Sequence, residues 1–230
     1  FFSVKIINII VNFSKFMHNP ITKLIAIEKE IQSKKSQSKV IVVSKTFPMK
    51  DIIPLINHGH IHFGENKVQE AVEKWTTIKQ DFKDIKLHMI GKLQTNKVKF
   101  VLPLFDYIHS LDNLKLAEKI SLEQKKNNKR VNVLIQVNIG NETQKSGIDP
   151  ENLRQFYNKC ITDFNLNIVG LMCIPPKDEN KESHFKKMNE LLSLTNLREL
   201  SMGMSDDYMQ AVQHNSTFVR IGTKILGPRT

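Results

Sequence analysis

Cysteine is scarce in this chain of 230 residues, which contains only Cys160 and Cys173. Two distant cysteines form neither a disulfide framework nor a metal-binding motif, so we expect two core thiols in a protein of a reducing compartment. The histidines of N-H-G-H-I-H (His58, His60 and His62) alternate along the chain, but no cysteine or carboxylate completes a ligand set. The sequence therefore predicts no metal site.

A membrane-spanning run is also missing from the start of the chain. The first sixteen residues mix apolar side chains with two lysines and two asparagines and contain no small-residue cleavage site. They fall short of the roughly 18 uninterrupted apolar residues of a membrane span. We expect residues 1–16 to be a disordered or non-native extension and residues 17–230 to form one domain without a membrane partner. A mitochondrial-type presequence is the alternative, because the segment is basic and lacks acidic residues.

Negative charge is in deficit: the formal net charge is +11 and the isoelectric point is near 9.6. The excess comes mostly from lysine in short runs, such as Lys125–Arg130, that lie just before apolar strand-like segments. This distribution places the charge in loops at one rim, and no aromatic-interleaved basic platform or zinc finger accompanies it. We therefore expect no specific nucleic-acid partner, with incidental binding of RNA or DNA as the alternative.

Short apolar runs recur along the chain, and a helical pattern separates each run from the next. A continuous Val/Ile run such as V-I-V-V at residues 40–43 is typical of a strand buried on both faces of a parallel sheet. The predicted strands are Lys39–Lys45, Ile61–Glu65, Ile85–Gly91, Tyr107–Leu111, Val131–Ile139, Ile168–Ile174, Glu199–Gly203 and Phe218–Thr223. Eight such units predict an α/β protein with a single (β/α)8 TIM barrel. A doubly wound open sheet is the alternative, although no G-x-G-x-x-G follows the first strand.

Local signals indicate where helices begin and which residues they bury. Asn19 followed by Pro20 indicates the start of an opening helix, and Asp112 is expected to cap the helix after the fourth strand. Trp75 and Phe82 lie at helical spacing, so we expect both in the core.

The carboxyl ends of the strands form the functional face of a (β/α)8 barrel. The residues predicted to lie there are Lys45, Asn66, Gly91, Gln94, Ser110, Asn138, Met172, Pro175, Ser201, Met202, Arg220, Gly222 and Thr223. A lysine at a strand end can be partly desolvated, which lowers its pKa and frees its amine to form a Schiff base with an aldehyde. The alternative is that the Lys45 side chain only extends into solvent.

Small and hydroxyl-bearing residues end the seventh and eighth strands, where barrels of this kind commonly bind phosphate. The segments S-M-G-M-S and R-I-G-T supply Gly203, Gly222 and the hydroxyls of Ser201, Ser205 and Thr223. They indicate a phosphate site, unless the two glycines only permit tight turns. A strand-end lysine together with a phosphate site suggests a phosphorylated aldehyde as the ligand.

Longer motifs resemble those of the pyridoxal phosphate homeostasis protein family, whose barrel is similar to the N-terminal domain of alanine racemase. The matching motifs are V-I-V-V-S-K, F-G-E-N-K-V-Q-E-A, H-M-I-G-K-L-Q-T-N-K, I-H-S-L-D, Q-V-N-I-G-N-E-T-Q-K-S-G, G-L-M-C-I-P-P, L-S-M-G-M-S-D-D and V-R-I-G-T-K-I-L-G-P-R. They cover essentially all of residues 39–229. The resemblance implies an alanine racemase-like TIM barrel that binds pyridoxal 5′-phosphate and takes part in its intracellular homeostasis.

The resemblance also implies which residues contact the ring of the cofactor. Lys45 would hold pyridoxal phosphate as a Schiff base, Asn66 would lie beside the ring, and Arg220 would face the pyridine nitrogen. Lys145, in the polar loop after the fifth strand, matches a family lysine near the cofactor.

The same resemblance implies that the ends of the last two strands bind the phosphate group. Ser201 and Met202 would hold it together with Gly222 and Thr223. Lys92, in the loop after the third strand, departs from the family pattern, which usually has a smaller residue or proline there. The resemblance therefore does not imply the conformation of that loop.

The resemblance implies a carrier without catalytic residues rather than an efficient enzyme. An arginine at the pyridine nitrogen keeps that nitrogen unprotonated and weakens the electron sink of the cofactor. Alanine racemase supplies a tyrosine from an added domain and a partner subunit, whereas Tyr107, Tyr157 and Tyr208 lie at no predicted functional strand end. We therefore expect a cytoplasmic monomer that makes the cofactor available to apo pyridoxal-phosphate enzymes. A weak amino-acid racemase is the alternative.

Overall fold

The computed structural model describes residues 19–142, 144, 146–177 and 179–228. The extension expected at residues 1–16 lies outside this part of the chain. Within it, no helix combines the length and the apolar character that crossing a bilayer requires.

Eight parallel strands form the centre of the molecule and close into a barrel in sequence order. They are Lys39–Val43 (β1), His62–Glu65 (β2), Lys86–Met89 (β3), Tyr107–Leu111 (β4), Asn132–Val137 (β5), Asn167–Cys173 (β6), Glu199–Met204 (β7) and Phe218–Ile221 (β8). Because β1 pairs with both β2 and β8, the sheet has no free edge. The predicted (β/α)8 barrel is therefore confirmed.

One helix precedes β1 and further helices follow the strands. They are Pro20–Ser33 (α1), Met49–Asn57 (α2), Val68–Asp81 (α3), Val98–Leu104 (α4), Leu114–Asn127 (α5), Leu153–Thr162 (α6), Lys181–Ser193 (α7), Tyr208–Gln213 (α8) and Thr223–Leu226 (α9). Short 3-10 turns lead into α4 and α6. The Asn19 side chain accepts a hydrogen bond from the Ile21 N–H, which confirms the predicted start of α1.

Five strands end earlier than the sequence predicts: β1, β3, β5, β6 and β8. β1 ends at Val43 rather than at Lys45, because Thr46 adopts a left-handed backbone with φ of 67° that terminates the extended segment. β8 ends at Ile221, and the predicted last strand residue, Thr223, instead begins α9.

One predicted helix cap is also corrected. Asn113, not Asp112, caps α5, since its side chain accepts a hydrogen bond from the Leu116 N–H. Asp112 instead accepts a hydrogen bond from the Asn113 side chain.

The core lies inside the barrel and between the strands and the helices, and β1 is buried from its second residue onward. Trp75 is fully buried, as predicted, but Phe82 is 36% exposed, so its placement in the core was wrong. Phe82 forms the C-cap of α3, where the chain turns back toward the barrel. Cys160 and Cys173 are free and buried, as predicted, and burial raises the pKa of both thiols to about 12.

Histidines occupy the polar interior of the barrel: His62 on β2, His88 on β3 and His109 on β4. His60, just before β2, is also largely buried. Burial lowers the pKa of His60 and His62 to about 4, and it lowers the pKa of His88 and His109 well below the usual range. All four imidazoles are therefore neutral in the folded protein at neutral pH.

These four histidines predict that the protein loses stability as the pH falls from about 6.5 to about 4. In this range the unfolded chain binds protons that the folded chain does not, so the stabilisation is complete above pH 6.5 and is lost progressively below it. The loss approaches about 1.4 kcal/mol per pH unit for each imidazole. Urea denaturation in steps from about pH 7.5 to about pH 4.5 measures it.

A single-histidine variant separates this effect from buried carboxyl groups. Burial raises the pKa of Glu65 and Glu199, which changes the pH dependence in the opposite sense. His62→Gln should reduce the slope by up to one proton, with His58→Gln, at an exposed position, as the matched control. An unchanged slope in His62→Gln would contradict the assignment.

Candidate functional site

The carboxyl ends of the strands meet at one end of the barrel. Lys45 lies there, half-buried, in the turn directly after β1. Because β1 pairs with β8, the chain at Gly222 runs against β1, and a Cβ atom at Gly222 would lie 3.3 Å from the Val43 carbonyl oxygen. The first and the last strand therefore bring Lys45 and the Gly222 turn to the same side of the site.

Lys74 on α3 fixes the turn that carries Lys45. Its Nζ donates hydrogen bonds to the carbonyl oxygens of Ser44 at 2.8 Å and Phe47 at 3.2 Å. These two carbonyls lie on either side of Lys45. We call this arrangement the Lys74 clamp, because one ammonium holds both ends of the turn.

Glu70 completes the attachment of the turn to α3. Its Oε1 accepts a hydrogen bond from the Thr46 N–H at 2.5 Å and lies 3.0 Å from Lys74 Nζ. Thr46 has a positive φ, which is unfavourable for a β-branched residue. The side chains of Lys74 and Glu70 on α3 therefore hold the turn in a conformation that it would not adopt alone.

Glu65, at the end of β2, supplies the negative charge opposite Lys74. Its Oε1 lies 2.7 Å from Lys74 Nζ and accepts hydrogen bonds from the Ser44 hydroxyl at 2.8 Å and the Trp75 indole at 3.0 Å. Complete burial raises the pKa of Glu65, and Lys74 with the two other donors opposes that shift. Lys74 thus also forms a buried ion pair with Glu65, and removing either partner would strongly destabilise the folded protein.

Asn66 follows β2 directly and is half-buried. Its Oδ1 is buried and has no hydrogen-bond partner among the described residues. The main chain at Gly91 approaches so closely that a Cβ atom there would lie 2.4 Å from the Asn66 carbonyl oxygen, so only glycine fits. A buried amide oxygen without a protein donor can be satisfied by a bound molecule.

Arg220 on β8 is 5% exposed and is held by residues of β7 and β6. Its Nη1 donates to the Ser201 hydroxyl at 2.7 Å, and its Nη2 donates to the Cys173 carbonyl at 2.8 Å. Burial lowers the pKa of Arg220, an effect that Cys173 and Asp207 oppose, and a guanidinium stays charged in proteins. Within the described chain, no carboxylate forms an ion pair with this cation.

The residues predicted to hold phosphate divide into accessible and buried groups. Thr223 is exposed, and its hydroxyl lies 3.4 Å from that of Ser205. The Met202 side chain is fully buried, so only its main chain is available to a ligand. The hydroxyl of Ser201 is engaged by Arg220, which leaves Thr223 and Ser205 as the accessible hydroxyls beside Gly222.

The polar loop after β5 folds back on the end of that strand. The Asn138 amide donates to the Glu142 carbonyl at 3.0 Å, and Asn138 Oδ1 accepts from the Glu142 N–H at 3.2 Å. Lys145 lies outside the described residues, so its place near the site stays a prediction.

Sequence reasoning missed three residues that shape this end of the barrel: Lys74, His88 and His109. His109 Nδ1 lies 2.9 Å from the Ser201 hydroxyl, and His88 follows behind it. Lys74, four residues after Glu70, had the signal of an i,i+4 ion pair. The signal for the histidines was their place inside apolar strand motifs, H-M-I-G and I-H-S-L.

Comparison with known sequences matches most of the chain to one family. The family model described as alanine racemase, N-terminal domain, matches residues 24–230. The pyridoxal phosphate homeostasis protein of Aquifex aeolicus is 41% identical over 201 residues, which are 84% of this chain and 87% of the relative. The protein of that name from Pasteurella multocida is 39% identical over 210 residues, 86% of this chain and 90% of the relative.

Solved structures agree with the sequence comparisons. The structure of PipY from Synechococcus elongatus with pyridoxal phosphate bound has a TM-score of 0.76 at 32% identity and covers 86% of this chain and 99% of PipY. Alanine racemase of Clostridium difficile has a TM-score of 0.70 at 15% identity, covering 90% of this chain and 56% of the racemase. At that identity the racemase shows a shared fold alone.

The Lys74 clamp predicts a large loss of stability when its ammonium is removed. Lys74→Met keeps the length of the side chain but leaves the buried Glu65 carboxylate without its counter-ion and two carbonyls without their donor. We expect a loss of about 3–5 kcal/mol in the free energy of unfolding, measured by urea denaturation.

Two further variants separate the charge from the packing. Adding Glu65→Gln to Lys74→Met removes the stranded charge and should recover part of the loss. Lys67→Met, at an exposed position just before α3, is the matched control. A loss below about 1 kcal/mol in Lys74→Met, the range of surface ion pairs, would argue against a buried clamp.

Proposed function

This chain belongs to the pyridoxal phosphate homeostasis protein family, and we propose that it binds pyridoxal 5′-phosphate, holds it through a Schiff base with Lys45 and makes it available to other enzymes. The observation that carries the proposal is the buried, charged Arg220 at the same end of the barrel as the Lys45 turn. The bound cofactor would supply an aldehyde for the lysine and a ring nitrogen that accepts a hydrogen bond from the guanidinium.

The residues of the site fit the parts of this ligand. The Lys74 clamp fixes the main chain of Lys45, so the amine reaches the ligand from a defined position. The Oδ1 of Asn66, which has no hydrogen-bond donor among the described residues, would accept a hydrogen bond from a donor on the ring side of the ligand. Lys145 is proposed to lie near the ligand on the resemblance alone.

The phosphate end is assigned to the chain between β7 and α9. Thr223 and Ser205 offer accessible hydroxyls, and Gly222 lets the main chain run close beside β1. Ser201 and Met202 contribute through the main chain, because the hydroxyl of Ser201 is already bonded to Arg220 and the Met202 side chain is buried. A phosphate in this position is common in barrels of this kind.

A role in holding the cofactor, rather than in turning over amino acids, is supported by two features. Pyridoxal phosphate acts as an electron sink in catalysis, and a cation at its ring nitrogen weakens that sink because the nitrogen stays unprotonated. Two tyrosines are engaged elsewhere: the Tyr208 hydroxyl donates to Glu30, and the Tyr107 ring stacks on His88 inside the barrel. The alternative, a weak amino-acid racemase, is favoured by the shared barrel fold.

The domain boundaries, oligomeric state, location and recipient enzymes are proposed here on the sequence. We expect residues 17–230 to act as one domain, as a cytoplasmic monomer, and apo pyridoxal-phosphate enzymes to receive the cofactor. Within the described residues, no group of three or more His, Cys, Asp or Glu side chains is arranged to hold a metal ion.

Lys45→Ala tests the covalent attachment. Wild-type protein mixed with pyridoxal phosphate should show the visible absorbance of a lysine Schiff base, and Lys45→Ala should lose it because the amine that forms the proposed bond is removed. Lys92→Ala is the matched control, since Lys92 is an exposed lysine at the same end of the barrel. Borohydride reduction followed by peptide mass analysis should place the adduct on Lys45; an adduct on Lys145 alone would refute the assignment.

Isotope exchange at the α-carbon distinguishes a carrier from an enzyme. Alanine and other amino acids are incubated with cofactor-loaded protein in deuterated buffer and followed by NMR. We expect exchange far slower than about 1 per second, the lower end of ordinary enzyme turnover. Exchange or racemisation at or above that rate would overturn the carrier role in favour of an enzyme. Activation of an apo enzyme by the loaded protein, faster than by free cofactor, is the positive test of delivery.

A further inference from the structure

A chain of hydrogen bonds crosses the barrel interior behind Arg220. The guanidinium donates to Ser201, whose hydroxyl lies 2.9 Å from His109 Nδ1. His109 Nε2 lies 2.9 Å from His88 Nδ1, and His88 Nε2 lies 3.0 Å from His62 Nδ1. All five side chains are buried. We call the three imidazoles of His62, His88 and His109 the histidine relay.

The relay reaches the opposite end of the barrel. His62 begins β2 and lines a cavity of about 510 Å³ at the amino ends of the strands. Lys39, His60 and Glu28 line the same cavity. The relay therefore connects the functional end of the barrel with a solvent-facing cavity at the other end.

The hydrogen bonds of the relay must all point in one direction. A neutral imidazole has one N–H donor and one acceptor nitrogen. His88 and His109 use both ring nitrogens in the relay, so each donates one hydrogen bond and accepts one. Reversing one bond requires the reversal of the others.

Arg220 determines which direction that is. A guanidinium only donates, so the Ser201 oxygen accepts from it, and the Ser201 hydroxyl proton has one acceptor among the described residues, His109 Nδ1. The opposite direction would leave that buried proton unpaired and would turn a histidine N–H toward the cation, and both are unfavourable in a buried site. Each imidazole therefore carries its proton on Nε2, and the last N–H belongs to His62.

Aromatic rings enclose the relay and favour its neutral form. The Tyr107 ring stacks on His88 with centroids 4.3 Å apart, and the Phe218 ring lies within 6.0 Å of all three imidazoles. The charged groups that act on the relay are Lys39, Lys79, Lys86, Asp106 and Arg220. The nitrogen atoms face one another in pairs and do not converge on one point, so the arrangement suits protons rather than a metal ion.

We propose that His109, His88 and His62 are positioning residues of the cofactor site, which act through Ser201 on Arg220. The relay presents a lone pair of His109 to Ser201, and Ser201 then presents its own lone pairs to the guanidinium. Arg220 is thereby oriented by dipoles, and its charge remains available to the ligand. The proposal rests on the proposed function for the identity of that ligand, but the direction of the relay is a property of the protein alone.

The direction of the relay is measured first, without cofactor. Long-range proton–nitrogen NMR on protein labelled with 15N-histidine reports the tautomer of each imidazole, and single His→Gln variants assign the signals. We expect His62, His88 and His109 to be neutral and protonated on Nε2 at neutral pH. An Nδ1-protonated or doubly protonated ring among the three would overturn the proposal, whether or not the protein binds pyridoxal phosphate.

Coupling along the relay is measured at its far end. His62→Leu removes the acceptor of the His88 N–H, so the Nδ1 resonance of His109, one imidazole further along, should shift. His60→Leu is the matched control, because His60 lines the same cavity outside the relay and should leave His109 unchanged. An unshifted His109 in His62→Leu would show three independent side chains and overturn the relay.

The effect on the site is measured with the cofactor. His109→Phe removes the acceptor of Ser201, and we expect about tenfold weaker binding of pyridoxal phosphate and a shifted visible absorbance maximum. His109→Asn places an amide oxygen near the Nδ1 position and should restore binding to within about twofold of wild type. Equal weakening by Phe and Asn would indicate packing alone and refute the positioning role. If wild-type protein does not bind the cofactor, the proposed function fails, and the NMR results still decide the relay.

Discussion

The burial of the Arg220 guanidinium, without a carboxylate against it in the described chain, is the constraint on which the barrel interior depends. A buried charge must be compensated, and here the compensation comes from neutral groups: the Cys173 carbonyl, the Ser201 hydroxyl and, behind it, the imidazoles. A carboxylate would neutralise the cation and deprive a ligand of its field. Dipoles stabilise the charge while leaving it unpaired.

The other half of the site is built by a different principle. Around Lys45, formal charges of opposite sign are placed in contact, since Lys74 pairs with both Glu65 and Glu70. The charges of Lys74, Glu65 and Glu70 compensate one another, and these side chains hold the main chain of a strained turn in which Thr46 has a positive φ. On the proposed assignment, one end of the ligand would meet a rigidly attached amine and the other a cation oriented by neutral partners.

The sequence allowed the barrel to be predicted because eight buried strands leave continuous apolar runs, and it allowed the site end to be predicted because strand order places Lys45 and Arg220 at the same end. The exact end of β1 could not be predicted, since the turn at Thr46 depends on Lys74 and Glu70, which lie more than twenty residues further along the chain. His88 and His109 were missed because a histidine inside an apolar run gives no sign of the ring it will contact. Phe82 followed the helical spacing but falls at the cap of α3, where the spacing no longer determines burial.

The pairing of β1 with β8 means that Lys45 and the Gly222 turn, almost the whole described chain apart in sequence, become neighbours only when the barrel closes. A partly folded chain, or one still being synthesised, has the lysine but not the opposite wall. If Lys45 holds the ligand as proposed, such a chain would offer an aldehyde an amine without a pocket, and selective capture of the ligand would be a property of the finished fold. Occupancy of the site would then indicate that β1 and β8 have paired and that the barrel has closed.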